Sequence, residues 1–92
     1  MPEILALFVK GDAEVLDFSI DWSAPLETDT IATSTWSVGS GITKVSDSTT
    51  TTTTTIWLSG GTIGQAYACE NTIVTAGGRT LVRTISVLVT DR

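Results

Sequence analysis

A chain of 92 residues has room for one domain with a thin core, because a domain of this size buries only about two thirds of its unfolded surface. The formal charge is −5, and the basic residues Lys10, Lys44, Arg79, Arg83 and Arg92 are scattered. There is no basic patch for phosphates, so neither nucleic acid nor an anionic membrane surface is expected as a partner. One cysteine and no histidine exclude an internal disulfide and leave zinc, iron–sulfur and haem sites without ligands, so no metal or cofactor is expected.

The apolar run Ile4–Val9 opens the chain. It is too short to span a membrane and no basic flank precedes it. Synthesis in the cytoplasm without a secretion signal is the expectation. Residues Val15–Trp22 read VLDFSIDW and alternate from Leu16 onward. Leu16, Phe18, Ile20 and Trp22 share one face, and Asp17, Ser19 and Asp21 the other. That period predicts a half-buried strand. Ser23-Ala24-Pro25 ends it, because proline cannot donate to a ladder.

A second strand is predicted over Thr30–Val38, with Trp36 and Val38 on one face with Ala32 and Ser34. Gly39-Ser40-Gly41 turns the chain into a short strand, Ile42–Ser46, with a loop from Asp47. Seven consecutive threonines, Thr49–Thr55, then run into Ile56-Trp57-Leu58. β-Branched threonine favours extended backbone, so this tract is read as a loop continuing into a strand. A long strand over Gln65–Ala76 places Tyr67, Cys69, Asn71 and Ile73 on one face. Ala76-Gly77-Gly78-Arg79 forms a hairpin turn, and the last strand, Thr80–Val89, carries Arg83, Ile85, Val87 and Val89 on one face. Its other face holds Val82 and Leu88, so it is apolar on both sides.

Six strands and a seventh candidate, with turn signals roughly every 8–14 residues, match an immunoglobulin-like antiparallel β-sandwich. The motif Gly64-x-x-Tyr67-x-Cys69 resembles a tyrosine corner, in which a tyrosine hydroxyl bonds back to upstream backbone. The partner cysteine is absent, so Cys69 is read as a core thiol. The expected division is residues 1–12 as an N-terminal arm or edge strand and residues 13–92 as the sandwich.

No catalytic constellation emerges, and the chain is not expected to be an enzyme. Asp17 and Asp21 lie four residues apart on one strand face, roughly 13 Å, too far to share a proton or flank a glycosidic bond. They read as a solvated face. Asp12, Glu14, Glu27 and Asp29 match no calcium loop. The many hydroxyls have no histidine as base, and Gly60-Gly61-Thr62-Ile63-Gly64 lacks the lysine of a phosphate loop.

The candidate interface residues come from unspent apolar surface. If Ile56 and Leu58 point inward, Trp57 points outward, and an exposed tryptophan is a good anchor. The opposite assignment buries Trp57 and exposes Ile56 and Leu58. In the terminal run, Leu5, Leu7 and Phe8 are the corresponding candidates, either within an edge strand or docking on a neighbouring subunit.

Several segments resemble a family of small tailed-bacteriophage virion proteins, the fibre–tail adaptors. They are Leu16-Asp17-Phe18-Ser19-Ile20-Asp21-Trp22-Ser23, Asp29-Thr30-Ile31 with Trp36-Ser37-Val38, Trp57-Leu58-Ser59-Gly60-Gly61-Thr62, Tyr67-x-Cys69-x-Asn71-x-Ile73 and Thr75-Ala76-Gly77-Gly78-Arg79. The resemblance covers roughly Val15–Val89. It departs at Pro25, where an aromatic residue is frequent, and at Cys69, where a β-branched one is usual. It implies a structural component of the virion, present in many copies and bound to tail, neck, fibre or capsid proteins, with Pro25 and Leu26 in a contact loop. Its competitors are a capsid decoration protein of the same fold and, from another class, a carbohydrate-binding or adhesion module using Trp57.

Overall fold

The computed structural model describes residues 4–91, with side chains from residue 6 onward. Seven strands are present: β1 Ile4–Gly11, β2 Leu16–Asp21, β3 Ile31–Val38, β4 Ile42–Thr49, β5 Thr53–Gly60, β6 Ala66–Thr75 and β7 Thr80–Thr90. A one-turn helix, α1, spans Ser23–Leu26. Four strands form one sheet in the order β1-β7-β6-β3, and three form the other in the order β2-β5-β4. The chain is therefore an immunoglobulin-like sandwich without a disulfide. β1 runs parallel to β7, while the other pairs are antiparallel.

Alternation explains the core. Phe18, Ile20 and Trp22 from the β2 region meet Ile56 and Leu58 of β5, and across the interior lie Tyr67, Cys69 and Ile73 of β6 with Ile85, Val87 and Val89 of β7. All are buried. Phe8 of β1 packs against Phe18, ring centroids 5.1 Å apart. β1 is thus an edge strand of its own sandwich, bonded to β7.

Three expectations change. The strand ending at Ser46 continues to Thr49, since β4 stays paired with β5 until the chain reverses. The reversal lies inside the threonine run: Thr50 N–H donates to Thr53 O at 2.8 Å, and Thr50 Oγ1 accepts from the Thr52 and Thr53 N–H groups. A threonine hydroxyl can satisfy a tight turn, so three of the threonines make the bend and three enter β5. In β3, a bulge between Ile31 and Thr33 turns Ile31 inward and leaves Ala32 exposed, off the Trp36 face. The stretch from Ser23 is a helical turn rather than a plain break. Pro25 fits there because the first turn of a helix needs no N–H from it.

The tyrosine corner is present. Tyr67 Oη accepts from Thr62 N–H at 2.8 Å. Gly61 makes the close approach beneath it, at φ 96°, where a Cβ would lie 2.6 Å from Val89 Cγ2. The loop before β6 can follow this path only with glycine there.

Lys10 is an unexpected part of the interior. It is fully buried, and its Nζ donates to Gly11 O and Gly60 O, each at 2.7 Å. One side chain thereby ties the end of β1 to the end of β5 in the opposite sheet.

Candidate functional site

Two tryptophans fill the interior and the third does not. Trp22 and Trp36 are buried, whereas Trp57 is 40% exposed. Ile56 and Leu58 take the inward positions of β5, so alternation sends Trp57 out. β5 is the central strand of its sheet. Trp57 therefore stands in the middle of an outer face, opposite Asp17 of β2 and Ser46 of β4. Besides Asp17, its surroundings include small hydroxylated residues, and Val45 is exposed at the β4 bulge beside Ser46. Ser19 Oγ and Thr55 Oγ1 lie 2.8 Å apart in the next cross-strand pair. Asp21, at the end of the same β2 face, accepts from Ser23 N–H at 2.9 Å, which holds its carboxyl below the usual range.

A second apolar surface lies on the outside of the four-stranded sheet. Leu7 is 79% exposed, and Val9 and Leu88 are also exposed. The register sets Val9, Leu88 and Ala66 in one row and Leu7, Ser86 and Ala68 in the next. A groove of about 340 Å³ is lined by Leu7, Phe8, Val9, Ala66, Ser86 and Leu88. It lies at the β1 side of the sheet. Facing outwards, β1 presents no charged side chain from residue 6 to residue 9.

The third cluster ties loops at one end. Asp29 Oδ1 accepts from Thr30 N–H at 2.9 Å and from Gly77 N–H at 3.0 Å. Arg79 reaches the Pro25 and Leu26 carbonyls at 3.3 and 3.2 Å and the Asp29 carboxylate at 3.4 Å. The Thr75 hydroxyl, then the Thr30 N–H, with smaller help from Gly77 and Arg79, lowers the Asp29 carboxyl to about 2. These bonds join the α1 loop to the β6–β7 hairpin. Their role is structural, since each group is already engaged.

Of the candidate interface residues, Trp57 and Leu7 are outward and exposed, on opposite sheets. Phe8 is half-buried against Phe18 and shows only part of itself to the groove. Pro25 is half-buried, with its carbonyl taken by Arg79. Leu26 is corrected: at 1% exposed it is a core residue, because α1 folds it under the end of the sandwich. The side chain of Leu5 lies outside the described residues. Val9, Ala66 and Leu88, which are not among the candidate interface residues, become one surface only through the β1–β7–β6 pairing. The two-sided apolar character of the last strand was the one signal for Leu88.

Cys69 is fully buried, and burial pushes its thiol up to about 11. Among the described residues, no group of three His, Cys, Asp or Glu is placed to hold a metal ion. No helix among them is long and apolar enough to cross a membrane.

The family model described as "Podophage GP4 fiber-tail adaptor protein gp77" matches residues 10–88. The chain belongs to this family. No curated protein matches it. The adaptor family match spans β2 through most of β7 and begins at Lys10, so nearly all of β1 lies before it. The Trp57 face falls within the matched region, while Leu7 of the second surface precedes it.

Proposed function

We propose that this chain is a non-enzymatic adaptor of a podophage virion, joining fibre to tail or neck through the two outer faces of its sandwich. The observation that carries the reading is the family match over residues 10–88. The geometry supports it. A joint needs two separate contact surfaces, and Trp57 and Leu7 stand on opposite sheets. An interface of standard size buries ~800 Å² per partner. That is about a sixth of the 5091 Å² surface, so two such contacts fit on one small domain. The partners are other virion proteins, and several copies act together in a symmetric assembly. In this reading residues 13–92 are the immunoglobulin-like sandwich, and residues 1–12 are an N-terminal segment that contributes the edge strand β1.

Locating the chain in a density map of the virion tests the proposal. Density at the junction of fibre and tail or neck is the expected result. Density on the capsid three-fold axes would make it a decoration protein. A sugar array returning a specific binder would favour the adhesion module.

A further inference from the structure

Resting on the adaptor reading, we propose that the outer face of the three-stranded sheet receives an arginine side chain of a partner protein, stacked on the Trp57 indole and paired with the Asp17 carboxylate. Asp17 and Trp57 are directly opposed across the β2–β5 ladder. Opposed residues of an antiparallel pair project to the same face with Cβ atoms about 4.5–5.5 Å apart. A guanidinium lying on the indole therefore has the carboxylate within reach, and its planar fork suits both contacts.

Charge selects this occupant. Asp17 is exposed and makes no hydrogen bond or ion pair among the described residues. Asp21 is the other charged group on this β2 face, and it is also a carboxylate. No cation among the described residues compensates them. Lys44 is opposite Leu58, on the inward side of β5, and pairs with Asp47 at 2.7 Å. Lys10 is buried, and Arg79 and Arg83 belong to the other sheet and its hairpin. An apolar partner covering Trp57 would strand the Asp17 charge out of water, which is costly. An arginine covers the indole and neutralises the charge together. The low hydroxyl floor of Ser19, Thr55 and Ser46 lets a flat group approach. Inside the same molecule, Arg83 lies 5.1 Å over the Trp22 ring, the same pairing of groups.

The test is a titration of the full chain with a capped Gly-Arg-Gly peptide, read at the Trp57 indole N–H resonance, which is assigned by its loss in Trp57→Phe. A saturable shift is expected. It should weaken roughly threefold to tenfold in Asp17→Asn, and should fade as salt is raised. The citrulline analogue, equal in shape but uncharged, should leave the resonance in place. No shift with the arginine peptide, an equal shift with citrulline, or an unchanged affinity in Asp17→Asn overturns the inference. So does a shift produced by oligosaccharides and not by arginine. Asp17 is exposed, so circular dichroism of Asp17→Asn should match the parent. Presence of the chain in purified virions is scored separately. A chain found there without an arginine response sinks this inference alone, and a chain absent from virions sinks the adaptor reading.

Discussion

Trp22 Nε1–H donates to Asn71 Oδ1 over 3.1 Å, a bond that crosses the interior from the end of β2 to the middle of β6. Trp22 Nε1–H also reaches Thr54 Oγ1 at 3.1 Å, and Thr54 Oγ1 donates to Asn71 Oδ1 at 2.7 Å. The Asn71 amide then donates to Ser34 Oγ and to Thr35 O of β3, at 2.9 and 3.1 Å. Two polar side chains that are fully buried are thereby satisfied, and the two sheets are held in one relative position.

Asn71→Leu keeps the branching of the side chain but removes the amide bonds to Ser34 and Thr35 and the oxygen that accepts from Trp22 Nε1–H and Thr54 Oγ1–H. Unfolding free energy should fall by about 1–3 kcal/mol, measured by urea denaturation. A change near zero would mean that the network contributes no net stability.

The two interior tryptophans should respond differently to phenylalanine. Trp22 Nε1 has two acceptors, and its ring lies under Arg83. Trp36 Nε1 is buried with no acceptor among the described residues. Trp22→Phe should therefore cost about 1–3 kcal/mol more than Trp36→Phe. Paired thermal melts decide the order.

Gly61→Ala should destabilise by about 1–3 kcal/mol, since φ is positive and the new methyl meets the buried, stiff Val89 side chain. Gly60→Ala shares a positive φ but has open space around its Cβ position, and should cost less. Equal losses would leave backbone conformation alone as the cause.

Asp29 sets part of the acid limit. Its folded carboxyl lies at about 2, below the ordinary value of 3.8, held down first by the Thr75 hydroxyl and then by Thr30 N–H. A depressed carboxyl stabilises the fold above its unfolded value and loses that contribution as pH falls. The loss should run from about pH 4 to about pH 2. Asp29→Asn should be less stable at neutral pH and show a flatter urea midpoint across that window. A slope matching the parent would assign the acid sensitivity to other carboxylates.

Cys69 should be silent until the sandwich opens. Its thiol is fully buried and raised to about 11, so little thiolate exists at pH 8 and none of it is accessible. A disulfide reagent should label it immediately in denaturant and only at the rate of opening in the native state. Fast native labelling would show that β6 frays.

Much of this architecture was legible from local pattern. Leu16–Trp22 announces its buried face by alternation and Tyr67 and Gly64 announce the corner, whereas Ile56-Trp57-Leu58 fits either phase until the fold buries Ile56 and Leu58. The surfaces were less legible. Leu26 looked like a loop residue, yet a helical turn places it in the core. Val9 and Leu88 are 79 positions apart and become neighbours only when β1 pairs with β7.

What the amino-acid order determined by itself is therefore the strand content, the inward residues of most strands and the family. These follow from period-two sterics and short motifs, which act over a few residues. What the tertiary structure alone decided is the parallel edge strand, the burial of Lys10 against Gly60, the Trp22–Thr54–Asn71 network and the opposition of Asp17 to Trp57. Each joins groups tens of residues apart, and only sheet register and sheet packing determine which of them meet.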